Sequence, residues 1–62
     1  MDQNEYFLKE IQERMAMLQT ALSRGACTTF DEYKYTCGQI RGLEAACSII
    51  EDLKQQLEHS ND

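Results

Sequence analysis

The segment Arg24-Gly25-Ala26-Cys27-Thr28-Thr29-Phe30-Asp31-Glu32 decides the fold, because it ends one helix and begins another within a few residues. Gly25 follows a basic residue, the usual place for a glycine where a helix ends in the left-handed conformation. Thr29 and Glu32 have the spacing of a capping box, which begins a helix. A connection as short as 25–29 between two long helices makes them antiparallel. We therefore predict an all-α fold, an antiparallel two-helix hairpin.

The first predicted helix covers about residues 3–24 of a single domain, 1–62. Asp2 or Asn4 can cap its start, and Asp2 with Glu5 has capping-box spacing. Apolar residues then recur three and four positions apart, which predicts a seam for one partner helix. The seam residues are Leu8, Ile11, Met15, Leu18 and Leu22.

Outside this seam the first helix carries charged pairs and two large apolar residues. The i,i+4 spacing predicts two ion pairs on the solvent side, Glu5 with Lys9 and Glu10 with Arg14. Phe7 and Met17 lie off the seam. They either widen the apolar arc or touch a second chain.

The second predicted helix, about residues 30–59, is longer than the first. Folding the hairpin at residues 26 and 27 places residue 52 level with Met1. Leu53 and Leu57, with Ile50 beside them, then have little or nothing of the first helix to pack against. This overhang predicts self-association into a helical bundle or ring, and the polar tail 59–62 is expected to fray.

Two glycines inside the second helix also need an explanation, because each lowers the stability of the helix by about 1 kcal/mol relative to alanine. Small residues permit a close approach, either by a crossing helix or by a planar or anionic ligand assisted by Arg41. We predict a partner-binding surface formed by this face and the overhang. Its residues are Gly38, Gly42, Ala45, Ile49, Leu53 and Leu57.

Aromatic residues cluster at the turn end of the second helix. Phe30, Tyr33 and Tyr35 can plug the open end of a two-helix hairpin. Alternatively they form a recognition patch, for which the candidates are Tyr33, Tyr35 and Arg41.

Composition excludes several function classes. The net charge is −5 and the six basic residues are scattered, so we expect no direct nucleic-acid binding. Neither a membrane-spanning run nor a signal peptide is present, so we expect no membrane association. The three cysteines are expected to be reduced and, in the cases of Cys37 and Cys47, buried as small apolar side chains. No nucleophile, metal-ligand or phosphate-loop motif occurs, which predicts a protein that is not an enzyme and has no cofactor.

The second helix resembles a pattern in small uncharacterised proteins of tailed bacteriophages. Its elements are Glu32-Tyr33, then Cys37-Gly38, Ile40, Gly42-Leu43, Ala46, Ile49 and Asp52-Leu53, about a third of the chain. The resemblance implies that the protein is located in the cytoplasm of a bacterial host or in a virion. We expect a phage structural or assembly component that binds copies of itself and phage proteins. The alternative is an early phage protein that inhibits or sequesters a host defence factor or signalling molecule, which the acidic charge favours.

Overall fold

A computed structural model describes residues 2–59 and shows two helices that pack against each other. Helix α1 is Gln3–Ser23 and helix α2 is Phe30–His59, and the part of the chain that is described contains no strand. The predicted all-helical hairpin is confirmed. Of the tail 59–62 that was expected to fray, His59 is the last residue of α2, and residues 60–62 lie outside the described residues.

Helix α1 begins at Asp2, one of the two predicted caps. Asp2 has an extended backbone, and its side chain accepts a hydrogen bond of 2.8 Å from the Glu5 N–H. This bond satisfies one of the backbone donors that the first turn leaves unpaired.

The turn has the geometry predicted for Gly25. This residue has φ +77°, in the left-handed region, and Arg24 before it is the C-cap. The Ala26 N–H donates to the Ala21 carbonyl at 3.0 Å, and the Gly25 N–H donates to the Leu22 carbonyl at 3.1 Å. These two bonds define a Schellman motif, which reverses the chain immediately after α1.

Helix α2 begins at a cap formed by Thr28, Thr29 and Glu32. The Glu32 N–H donates to the Thr29 hydroxyl at 3.1 Å, as the predicted capping box requires. The Glu32 carboxylate also reaches one residue further back, where it accepts from the Thr28 N–H at 2.8 Å and the Thr28 hydroxyl at 3.2 Å. The turn and the first turn of α2 are therefore held together by local hydrogen bonds.

The core between the helices is a narrow seam. In residues 2–59 only Ile40 and Cys47 are buried hydrophobic residues, each 8% exposed. Half-buried residues extend the seam on both helices. They are Leu8, Ile11, Met15, Leu18 and Leu22 on α1, and Thr36, Cys37, Leu43, Ala46 and Ile50 on α2.

Two side-chain contacts fix the register of the hairpin. Near the turn, Cys27 Sγ lies 3.5 Å from Thr36 Oγ1, and at the open end Lys54 Nζ lies 3.1 Å from Glu5 Oε1. The structure thus pairs Glu5 with Lys54, where the sequence predicted Lys9. The prediction used only the i,i+4 spacing within α1. That spacing does not show how far α1 extends along α2, and this extent brings Glu5 to Lys54.

The same register corrects the expectation that Ile50 lacks a partner helix. Ile50 is half-buried, because α1 extends past its level to Lys54. Leu53 is 50% exposed, but the predicted overhang is not the cause of this exposure. It lies about 100° around α2 from the seam, so its side chain points away from α1 even where the two helices run side by side.

Candidate functional site

The hairpin has two broad sides, and one of them carries an open groove of about 780 Å³ between the helices. We call this the groove side. Helix α1 lines the groove with Glu10, Glu13, Arg14, Met17 and Leu18. Helix α2 lines it with Gln39, Gly42 and Leu43.

The groove side is apolar and uneven. Met17 is 72% exposed and protrudes beside the groove. Across from it, a Cβ atom built on Gly42 would meet no other atom within 4 Å, so the α2 backbone is open there. Phe7 and Leu53, both exposed, lie on the same flank of their helices towards the open end. Three large apolar side chains and one open backbone segment thus share a single side.

The opposite side of the hairpin is polar, and we call it the polar side. Helical periodicity places on it one row of exposed side chains from each helix. These residues are Gln12 and Gln19 of α1, and Glu44, Ser48 and Gln55 of α2. The two sides therefore differ in chemistry along the middle of the hairpin, whereas at the turn end the exposed aromatic residues Phe30 and Tyr33 lie on the polar side.

The predicted partner-binding residues all lie on exposed parts of α2, but not on one side. Gly38 and Ala45 lie on the ridge of α2 that faces directly away from α1. Gly42 lines the groove, and Ile49, 59% exposed, leans from the ridge towards the groove side. Leu53 and Leu57 follow on that side near the end of α2, each at least half exposed.

The aromatic residues at the turn end do not plug the hairpin. Phe30 and Tyr35 are each 70% exposed, and the Lys34 ammonium lies 5.5 Å from the centre of the Phe30 ring. The plug interpretation is therefore wrong for these two residues. Helical periodicity turns both side chains away from the seam residues of α2.

The three candidates for a recognition patch do not come together. Tyr33 and Arg41 are close enough for the guanidinium charge to act on the Tyr33 hydroxyl. Tyr35 is two residues from Tyr33, so it points about 160° away around the helix. Any patch at this end therefore contains Tyr33 and Arg41 without Tyr35.

The thiol groups lie along the hairpin in reduced form. Cys27, Cys37 and Cys47 are free, and Cys47 is buried as predicted, whereas Cys37 is half-buried. Cys37 raises the pKa of Tyr33 above its usual 10.0, first through a hydrogen bond and then through charge repulsion. The phenol is therefore held in its neutral form.

The described residues contain no grouping of three or more His, Cys, Asp or Glu side chains that could hold a metal ion. Within 2–59 neither helix combines the length and the apolar character needed to cross a bilayer. The arrangement that the structure does build is an open groove between the helices, with exposed apolar side chains beside it. The sequence signalled one of its main residues, Met17, only by its position off the seam.

No family model matches this chain, and no match was found among curated proteins or among solved structures.

Proposed function

We propose that this chain is a non-enzymatic helical hairpin that acts through self-association and contacts with other proteins. The observation that carries the proposal is the size of its own core. Ile40 and Cys47 are the buried hydrophobic residues among 2–59. A chain of 62 residues with so small a core has only marginal stability by itself, and contacts with another chain would add to it.

The distribution of exposed apolar side chains supports the same proposal. Ile49 and Leu53 are each at least half exposed and lie one turn apart on α2, and Met17, 72% exposed, lies beside the groove on α1. Contiguous exposed apolar surface on a small protein is typical of an interaction site. A helical bundle of several copies would cover these side chains.

For the biological setting, we propose a small structural or assembly component of a tailed bacteriophage. The support is the resemblance of α2 to small phage proteins, together with the exposed apolar side chains on the groove side. The acidic net charge of −5 favours the second candidate, an early phage protein that blocks a basic host protein or sequesters a host signalling molecule.

Sedimentation equilibrium over a wide range of concentration tests the self-association. We expect a mass above that of the monomer, and a melting temperature that rises with protein concentration because association stabilises the folded chain. A monomer mass at every concentration, with a melting temperature independent of concentration, would contradict the proposal.

The setting requires a separate experiment. Mass spectrometry of purified phage particles should detect the chain in stoichiometric amount if it is a virion component. Affinity capture from infected cells should then recover phage proteins. Capture of one host protein, with no copies in the particle, would favour the inhibitor instead.

A further inference from the structure

The groove side meets the requirement for binding a second copy of the same chain. In a two-fold dimer both copies present the same patch, so the patch must be complementary to itself. Met17 protrudes on this side with 72% of its surface exposed. Gly42, which lines the same groove, has open space where a Cβ atom would stand. One side thus holds both a projecting side chain and a recess that can accept it.

The charges along the groove are self-complementary too. Glu10 and Glu13 line it together with Arg14, so acidic and basic groups stand within one helical turn of each other. When two copies face each other, Arg14 of each can approach the carboxylates of the other.

The area available on this side suffices for a stable dimer. The backbone measures 51 × 19 × 13 Å, so the hairpin is flat and the groove lies on a broad face. The two longer extents enclose about 970 Å², against about 800 Å² per partner in a standard stable interface. The polar side has the same area, but its glutamine, serine and glutamate side chains offer no apolar centre.

We propose that two copies of this chain pack groove side to groove side as a two-fold four-helix bundle, with Met17 of each copy seated over Gly42 of the other. This inference rests on the proposed self-association and specifies its surface. Met17 of one copy is the knob of a knobs-into-holes contact. Gly42 of the other copy has no side chain and therefore leaves space for it. Gly38, on the ridge of α2, lies outside the contact.

Matched variants measured by sedimentation equilibrium test the surface. On α1, Met17→Glu on the groove side is compared with Gln12→Glu on the polar side. Each substitution adds one negative charge at an exposed position. On α2, Gly42→Leu is compared with Gly38→Leu, since neither Cβ position has a neighbouring atom within 4 Å in the hairpin. We expect Met17→Glu and Gly42→Leu to weaken dimerisation by about tenfold or more. Gln12→Glu and Gly38→Leu should stay within about threefold of the parent.

The outcomes separate this inference from the function it rests on. A parent chain that is monomeric throughout overturns both. A parent that associates, with Met17→Glu and Gly42→Leu no weaker than their controls, overturns the surface and leaves self-association standing. Circular dichroism of each variant checks that the helices persist, which we expect because all four positions are exposed.

A measurement without substitutions keeps the test decisive if a variant does not fold. A dimer mixed from isotope-labelled and unlabelled copies should show nuclear Overhauser effects between the Met17 methyl group and α protons of Gly42 in the other copy. A dimer in which the Met17 methyl group has no intermolecular effect overturns the inference.

Discussion

Lys54 Nζ lies 3.1 Å from Oε1 of Glu5, so an ion pair joins residues 49 positions apart and ties the open end of the hairpin together. The Glu5 carboxylate raises the pKa of Lys54 above its usual 10.5, first by accepting its hydrogen bond and then by its charge. Both side chains are partly exposed, so salt weakens the pair. It holds the two helices together far from the turn.

This pair gives the stability of the hairpin a dependence on alkaline pH. Because the folded pKa of Lys54 is raised, the contribution is fully present below the unfolded pKa and is lost as pH rises through the folded value. We predict that Glu5→Gln lowers the melting temperature at neutral pH and removes part of the decline above pH 10.5. The control is Glu51→Gln, an exposed position with the same change of charge. Equal pH profiles for the two variants would contradict the role of the pair.

Gly25 and Gly38 should respond to the same substitution with opposite signs. Neither has an atom within 4 Å of a built Cβ, so packing does not contribute to the difference. Gly25 has φ +77°, where an L side chain costs about 1–2 kcal/mol. Gly38 lies inside α2, where alanine is favoured over glycine by up to about 1 kcal/mol. We predict that Gly25→Ala lowers and Gly38→Ala raises the free energy of unfolding in denaturant titrations. A stabilised Gly25→Ala would show that the turn does not need the left-handed conformation.

Glu32 should make the start of α2 sensitive to acid. Hydrogen bonds from the Thr28 backbone, the Thr28 hydroxyl and the Thr29 backbone hold the pKa of Glu32 below its usual 4.5. A lowered folded pKa adds stability above the unfolded pKa, and this stability is lost as pH falls through the folded value. We predict that Glu32→Gln is less stable than the parent at pH 7 and that the difference shrinks below pH 4.5.

Asp31→Asn is the matched control for this substitution, because it removes a negative charge from the same helical turn. Both variants lose the favourable interaction with the helix dipole, so their difference isolates the Thr28 hydrogen bonds. Thermal melts of both proteins from pH 3 to pH 7 measure it. Identical profiles would mean that the dipole alone accounts for the effect of Glu32.

The hairpin was predictable because its signals are local. Gly25, Thr29 and Asp2 act on backbone groups within five residues of themselves, so their roles can be inferred without knowing where the rest of the chain lies. The apolar spacing of α1 likewise predicted which residues would form its seam. These features depend on the geometry of one helix, which is the same in every protein.

The relations between the helices were less predictable. The partner of Glu5 and the burial of Ile50 depend on how far α1 slides along α2, which helical spacing leaves open by several residues. The groove depends on this offset as well, because it brings Met17 and Gly42 to one side. The sequence put Gly42 on a face with Gly38 and Ala45, whereas packing against α1 separates them. The fold is therefore encoded by local sequence signals, whereas the groove side depends on how the two helices pair.

Ile40 and Ile49 provide a test of where the core ends, because the same substitution on one helix meets two environments. Ile40 is 8% exposed and Ile49 is 59% exposed. Ile40→Ala removes three buried carbon atoms from the seam and should cost about 2–4 kcal/mol, enough to unfold much of a small hairpin. Ile49→Ala should change the stability of the dilute hairpin by no more than about 0.5 kcal/mol, since little burial is lost and alanine favours the helix. Urea titrations at low protein concentration compare the two. If Ile49→Ala cost as much as Ile40→Ala under those conditions, Ile49 would be buried in the single hairpin, and the surface assigned to a second copy would belong to its own core.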